Sequence, residues 1–120
     1  MTLEFSGANN PLFIFRNGEM IELKSDKMPI GIHLRADIPF TRHNLDIQKD
    51  DMIYTFSDGY PDQFGGPHQK KFMIRNFKKL LAEIHKDPPE AQKAALIESL
   101  NSWMTETEQV DDIIVIGVRI

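Results

Sequence analysis

The chain has 120 residues, of which 41% are hydrophobic and 27% charged, a composition that fits one globular core and not two. Its net charge of −4 argues against a general nucleic-acid binder, and the absence of cysteine excludes a disulfide framework and thiolate metal sites. No apolar run approaches the roughly 20 residues of a membrane span, and no charged-then-apolar leader precedes the first strand, so a cytoplasmic location is expected for this portion.

In chain order, Leu3-Glu-Phe-Ser6 alternates and opens a strand. Ser6-Gly-Ala-Asn-Asn-Pro11 is small and turn-forming, suited to a tight link or to a close approach of backbone to a ligand, which makes Asn9 a candidate substrate contact. Pro11–Arg16 and Glu19–Leu23 flank Asn17-Gly18, the residue pair that takes both positive φ angles of a type I′ turn, and so predict a β-hairpin. Lys24–Pro29 is a polar connection ending in Met28-Pro29-Ile30-Gly31, read as a short buried turn. Ile38–Ile47 comes close to alternation, with Arg42, His43 and Asp46 among β-formers. It predicts a strand with one wet face, paired with the strand at Met52 across Gln48–Asp51. His33, His43, His68 and His85 stand at no metal-ligand spacing and read as surface or structural residues.

The stretch Met52–Gly66 is the most informative. Met52-Ile-Tyr-Thr-Phe56 is apolar at four of five positions and rich in β-formers, so it predicts a mostly buried strand, stopped by Gly59, Pro61 and Gly65-Gly66. An aspartate at the mouth of such a strand, Asp58, with Gly59 beside it to permit close approach, is well placed to bind a metal. A second acidic pair, Asp111-Asp112, opens the last strand, Ile113–Ile120. Two strands presenting Asp at their ends bring carboxylates together around a hard cation such as Mg or Mn.

Between these stretches the period changes to that of helices. Met73, Phe77, Leu80, Leu81 and Ile84 share one helical face, while Lys70, Lys71, Arg75, Lys78 and Lys79 crowd the start and the outer side. The basic face reads first as solvated surface; the alternative is that Lys70 or Lys71, close in sequence to Asp58, touches an anionic substrate. Asp87-Pro-Pro-Glu90 predicts an N-cap at Asp87 with proline in the first turn of a second helix, which reaches about Trp103 with Leu96, Leu100, Trp103 and Met104 as its apolar stripe. The elements together define an α+β fold: an antiparallel sheet with a two-helix hairpin.

Five motifs occur in order: Ser6-Gly-Ala-Asn-Asn-Pro-Leu12, Met28-Pro-Ile-Gly31, Phe56-Ser-Asp-Gly-Tyr-Pro-Asp-Gln-Phe-Gly-Gly66, Lys70-Lys-Phe72 and Gln109-Val-Asp-Asp-Ile-Ile-Val-Ile116. Together they resemble the C-terminal part of the sporulation-stage-II-E-type serine phosphatases, members of the metal-dependent protein phosphatase 2C superfamily. The resemblance implies an α-β-β-α sandwich and an active site in which aspartates hold two Mn or Mg ions and a metal-bound water attacks a phosphoserine or phosphothreonine phosphorus. It maps catalytic, metal-ligating roles to Asp58 and Asp111, and supporting roles to Gly59, Asp112 and Asp62. Asp112 stands where relatives often carry asparagine, and Asp62 reads first as a turn-stabilising residue.

The family's first aspartate motif, an Asp followed shortly by Gly-His-Gly, does not occur in the chain. Residues 1–120 therefore read as a partial phosphatase 2C-like domain whose metal site is incomplete, and the chain alone is expected to be inactive. The resemblance further implies a phosphoprotein substrate of the anti-sigma-antagonist type, and sensory domains upstream in the full-length protein. The isolated chain is expected to form a homodimer through the face left uncovered, with Leu12, Ile14, Ile53, Tyr54, Ile114 and Ile116 as its apolar residues. The alternative from another class is a non-catalytic module that binds a regulatory protein. A plain phosphate-binding domain is disfavoured, because no glycine-rich loop leads into a helix.

Overall fold

The computed structural model describes residues 1–31, 34 and 37–120; His33 lies outside the described residues. Along the chain run β1 (Thr2–Phe5), β2 (Leu12–Arg16), β3 (Glu19–Leu23), β4 (His43–Asp46), β5 (Met52–Phe56), β6 (Phe64–Gly65), β7 (Lys70–Lys71), α1 (Ile74–Ile84), α2 (Pro89–Met104) and β8 (Val115–Arg119). The fold is α+β, as the hydrophobic periods predict. The described chain divides into two compact units, residues 1–55 with 117–120, and residues 56–116.

In the first unit β2 and β3 form the predicted hairpin, in register from Leu12 opposite Leu23 to Arg16 opposite Glu19, with Asn17 (φ 52°) and Gly18 (φ 83°) in the left-handed region at its tip. The sheet runs β3-β2-β5-β8. β5 pairs antiparallel with β2, placing Ile14 opposite Ile53. Leu12, Ile14 and Ile53 form a buried cluster closed by Leu3, Phe5, Ile21, Leu23, Leu45, Ile47 and Ile120. β4 departs from expectation: its partner is β1, with Leu3 opposite Leu45, and not β5. The physical reason lies in the side chains. β5 is buried at Met52, Ile53 and Tyr54 and takes an interior position in the sheet. β4 exposes Asn44 and Asp46 while turning Leu45 inward, the pattern of a half-wet ribbon. The turn at Met28 is buried only at that residue; Ile30 is exposed.

One ion pair fastens the ends of this unit. The Arg16 guanidinium grips Asp51 with both arms, Nε to Oδ1 at 2.9 Å and Nη2 to Oδ2 at 2.7 Å, and Nη2 also donates to the Asp46 carbonyl. The Asp51 side chain is 1% exposed and also accepts the Gln48 N–H, while its backbone carbonyl accepts the N–H of Ile120. The arginine hydrogen bond outweighs desolvation and holds the Asp51 carboxyl below its ordinary range.

The second unit packs on aromatic rings. Phe56 meets Phe77 at 4.9 Å, Tyr60 meets Phe77 at 5.0 Å and Phe72 at 5.4 Å, and Phe72 meets Trp103 at 5.6 Å between centroids. α1 buries Phe77, Leu81 and Ile84, in keeping with its period. It begins at Ile74, and Lys70-Lys71 form β7 against β6 instead of the helix start. At α2 the N-cap is Pro88, with no side-chain cap; Asp87 instead offers its backbone carbonyl to the Gln92 amide at 2.8 Å, and buried Gln92 also donates to the His85 carbonyl. The stripe Leu96, Leu100, Trp103 and Met104 is half-buried.

The six apolar residues expected on an uncovered face divide between the core and the surface. Leu12, Ile14, Ile53 and Tyr54 are buried within the chain, and only Ile114 and Ile116, each 54% exposed, remain open.

Removing the Asp51 carboxylate as Asp51→Ala leaves Arg16 without its partner and is expected to cost about 2 kcal/mol in urea unfolding, below the value for a fully buried pair because Arg16 is partly wet. Because the folded pKa lies below the unfolded one, the wild-type contribution is complete above about pH 4 and is lost as pH falls through the folded value. The variant's urea midpoint should accordingly change less than the wild type's over that acid range.

Candidate active site

The site begins where β5 runs out of apolar residues. Ser57 makes three hydrogen bonds to one neighbouring segment: its N–H donates to the Ile114 carbonyl at 2.9 Å, its hydroxyl donates to the Asp112 carbonyl at 2.9 Å, and the same oxygen accepts the Ile114 N–H at 3.0 Å. Gly59 follows at the closest point of approach. A Cβ there would stand 2.1 Å from the Asp112 carbonyl oxygen and 2.9 Å from Ile113 Cγ1, so only glycine fits. Asp58 lies between these two contacts, and the segment they hold carries Asp112, with Asp111 next to it.

The turn after Asp58 is closed by the Asp62 N–H donating to the Asp58 carbonyl at 2.9 Å. Asp58, Asp111 and Asp112 are exposed. One Asp111 oxygen accepts the Asp112 N–H at 2.8 Å, and the Gln109 amide donates to the Asp111 carbonyl, so the acidic end of the last strand has a defined local shape. The backbone thus brings the two predicted acidic segments side by side. Among the described residues, no group of three or more His, Cys, Asp or Glu side chains gathers in a form that could hold a metal ion.

The remaining predicted residues take other places. Asp62 faces Lys71, with Oδ1 3.6 Å from Nζ, and both side chains are about half exposed. Lys70 is exposed on β7. Asn9 belongs to the first unit, at φ 68°, in a turn where its N–H donates to the Asp26 carbonyl at 2.8 Å.

Two residues that matter were not singled out in the sequence. Ser57 is one; its only signal is a hydroxyl just ahead of Asp-Gly at a strand end. Gln63 is the other, with no local signal at all. It is buried, and its side-chain amide donates to the Phe64 and Glu108 carbonyls at 3.0 and 2.9 Å, while its backbone carbonyl accepts the Trp103 indole N–H at 2.9 Å. It thereby ties the end of the Asp58 turn to the approach of Asp111. Gly65-Gly66, read as a strand stop, makes room for Trp103: a Cβ on Gly65 would come within 2.1 Å of the Trp103 carbonyl oxygen.

This arrangement of strands and helices matches part of phosphatase 2C-type domains. The chain superimposes on the SiaA PP2C domain of Pseudomonas aeruginosa with a TM-score of 0.87 and 28% identity, over 99% of this chain and 46% of that one. It is also similar to the PP2C phosphatase domain, with a fragment of the regulatory domain, of the cell fate determinant SpoIIE from Bacillus subtilis (TM-score 0.75, 21% identity, 99% of this chain and 34% of that one). The SpoIIE phosphatase domain presoaked with Mn matches with a TM-score of 0.65 and 20% identity, over 100% of this chain and 56% of that one. The chain thus spans about half or less of the first of these relatives. No protein of curated function matches it. The family described as Stage II sporulation protein E (SpoIIE) matches residues 1–120, and the chain belongs to that family.

Ser57→Ala is expected to strip the Ile114 amide of its acceptor and free the Asp112 carbonyl, at a cost of about 1–2 kcal/mol. Hydrogen exchange at the Ile114 amide should accelerate selectively, with the amides of α1 much less affected. Uniform exchange rates across wild type and variant would show that Ser57 does not fix the acidic segments.

Proposed function

We propose that the chain serves as part of a Mn- or Mg-dependent protein phosphatase that removes phosphate from serine or threonine of a regulatory phosphoprotein of the anti-sigma-antagonist type. The observation that carries the reading is the stitching of the Asp58 turn to the Asp111-Asp112 segment by Ser57 and Gly59, in a chain of the SpoIIE family. Membership makes the chain part of a phosphatase 2C-type domain; the activity, the substrate and the metal are proposed.

The donor set suits a hard cation. Exposed carboxylates supply oxygen, the ligand atom that Mg and Mn prefer, and carboxylates on adjacent segments repel one another unless a cation lies between them. Asp58 and Asp111 are the residues that would hold metal, with Asp112 and Asp62 in support. We assign the remaining ligands to the first-aspartate motif of the whole domain and to water. When bound, a metal pair supplies a nucleophilic water and offsets charge on the phosphoryl oxygens. The chain's own residues orient that chemistry: Ser57 and Gly59 fix the spacing of the two acidic segments, and Gln63 braces the turn from behind. Lys71, held by Asp62, limits the negative charge at the rim of the turn. No described helix is long and apolar enough to cross a membrane, and a cytoplasmic setting is part of the same proposal.

In the full-length gene product, Asp58→Asn is expected to lower Mn-dependent hydrolysis of p-nitrophenyl phosphate by about a thousandfold or more, with an unchanged circular dichroism spectrum. In the same assay the 120-residue chain alone should do no better than buffer containing Mn. Turnover retained by Asp58→Asn would remove Asp58 from the chemistry.

A further inference from the structure

We propose that the basic flank formed by β7 and the first two turns of α1 is the docking face for an acidic protein segment around the phosphorylated residue; this deepens the phosphatase reading and rests on it. From Gln63 to Ala82 the chain carries Lys70, Lys71, Arg75, Lys78 and Lys79 and no Asp or Glu, although acidic residues outnumber basic ones 18 to 14 over the whole chain. The positive charge is therefore concentrated in one stretch of an otherwise acidic molecule.

That stretch is fastened to the Asp58 turn. The Phe72 N–H donates to the Gln63 carbonyl at 2.9 Å and the Met73 N–H to the Pro61 carbonyl at 2.7 Å. In α1 the buried face is Phe77, Leu81 and Ile84; Arg75 and Lys79, one turn apart, lie on the other side and are exposed. The same flank also leaves large apolar groups open: Phe64 is 40% exposed, Met73 50% and Ile74 39%. Phe64 pairs with Lys71 across β6 and β7, and Met73-Ile74 stand just ahead of Arg75, so apolar and cationic side chains are interleaved along this stretch. Aromatic residues, Met and Arg together are the composition enriched where proteins meet.

Charge selects the occupant. A phosphorylated segment must approach a turn lined by Asp58, Asp111 and Asp112, and those carboxylates repel it until metal offsets them. A cationic flank beside the turn supplies attraction, raises the encounter rate and fixes the direction of approach, and it does so best when acidic residues flank the phosphate. The apolar groups favour a protein partner over a nucleic acid, and the net charge of −4 disfavours a polyanion that would cover more of the surface.

The test uses the full-length gene product and fluorescein-labelled peptides in which a non-hydrolysable phosphonate replaces phosphoserine, flanked by Asp and Glu in one and by Lys in the other. Anisotropy at low salt should show the acidic peptide binding about tenfold tighter, with the preference shrinking as salt rises. Arg75→Glu with Lys79→Glu should abolish or reverse the preference; if a thermal melt shows that variant to be unfolded, Arg75→Gln with Lys79→Gln should reduce it. Equal affinities in the wild type, an unchanged preference in a folded variant, or tighter binding of an RNA oligomer of the same charge would overturn the docking face. Mn-dependent hydrolysis of p-nitrophenyl phosphate by the same wild-type preparation reports on the phosphatase reading alone. Flank preference without hydrolysis would support the docking face and sink the phosphatase reading, whereas hydrolysis without flank preference would do the reverse.

Discussion

A single serine hydroxyl that both donates and accepts sets the geometry on which the site depends. Ser57 holds the Asp112 carbonyl and the Ile114 amide with one oxygen, and Gly59 lets the two backbones meet where any side chain would collide. Close backbone contact brings the two acidic segments side by side. A cation between the two segments is the proposed reason for that closeness. Alanine at position 59 would push the segments apart, and alanine at position 57 would leave a backbone donor and a backbone acceptor without partners.

Behind the acidic turn stands a support built from ordinary core materials. Gln63 bonds to Glu108 and receives the Trp103 indole, and Trp103 lies against Gly65, the last residue of β6, and Gly66 after it. Rings from Phe56, Tyr60, Phe72 and Phe77 pack beside it, and the Tyr60 hydroxyl donates to the Leu96 carbonyl at 2.7 Å. Burial raises the Tyr60 pKa, so this hydroxyl stays a donor through the physiological range. A turn held on such a frame keeps its shape, a support from which the proposed site would gain.

What was legible in the sequence is what local chemistry decides. Asn17-Gly18 specifies its turn through positive φ, Met52–Phe56 is too apolar to be anything but buried, and Phe77, Leu81 and Ile84 fall on one side of α1 whatever surrounds them. That the turn at Asp58 and the Asp111-Asp112 segment come together was suggested by acids written next to apolar stretches. The pairing of β4 was not, because alternation says that one face is wet without saying which strand lies alongside. Nor was β7, whose two lysines continue a helical pattern and yet pair with Phe64-Gly65. Asp87 followed by proline looked like a cap, but the helix starts with Pro88 as its N-cap and no side-chain cap, and the Asp87 carbonyl accepts the Gln92 amide. Ser57, Gln63 and the Arg16–Asp51 pair escaped because each has a defining partner 35 or more residues away, a separation at which one sequence carries no signal.

The account turns on whether Asp58 and Asp111 share a metal. Anomalous diffraction at the Mn edge from crystals of the full-length gene product soaked in Mn answers this directly. The expected result is Mn density bonded to carboxylate oxygens of both Asp58 and Asp111. Mn bound at full occupancy elsewhere, with both carboxylates free of metal, would contradict it.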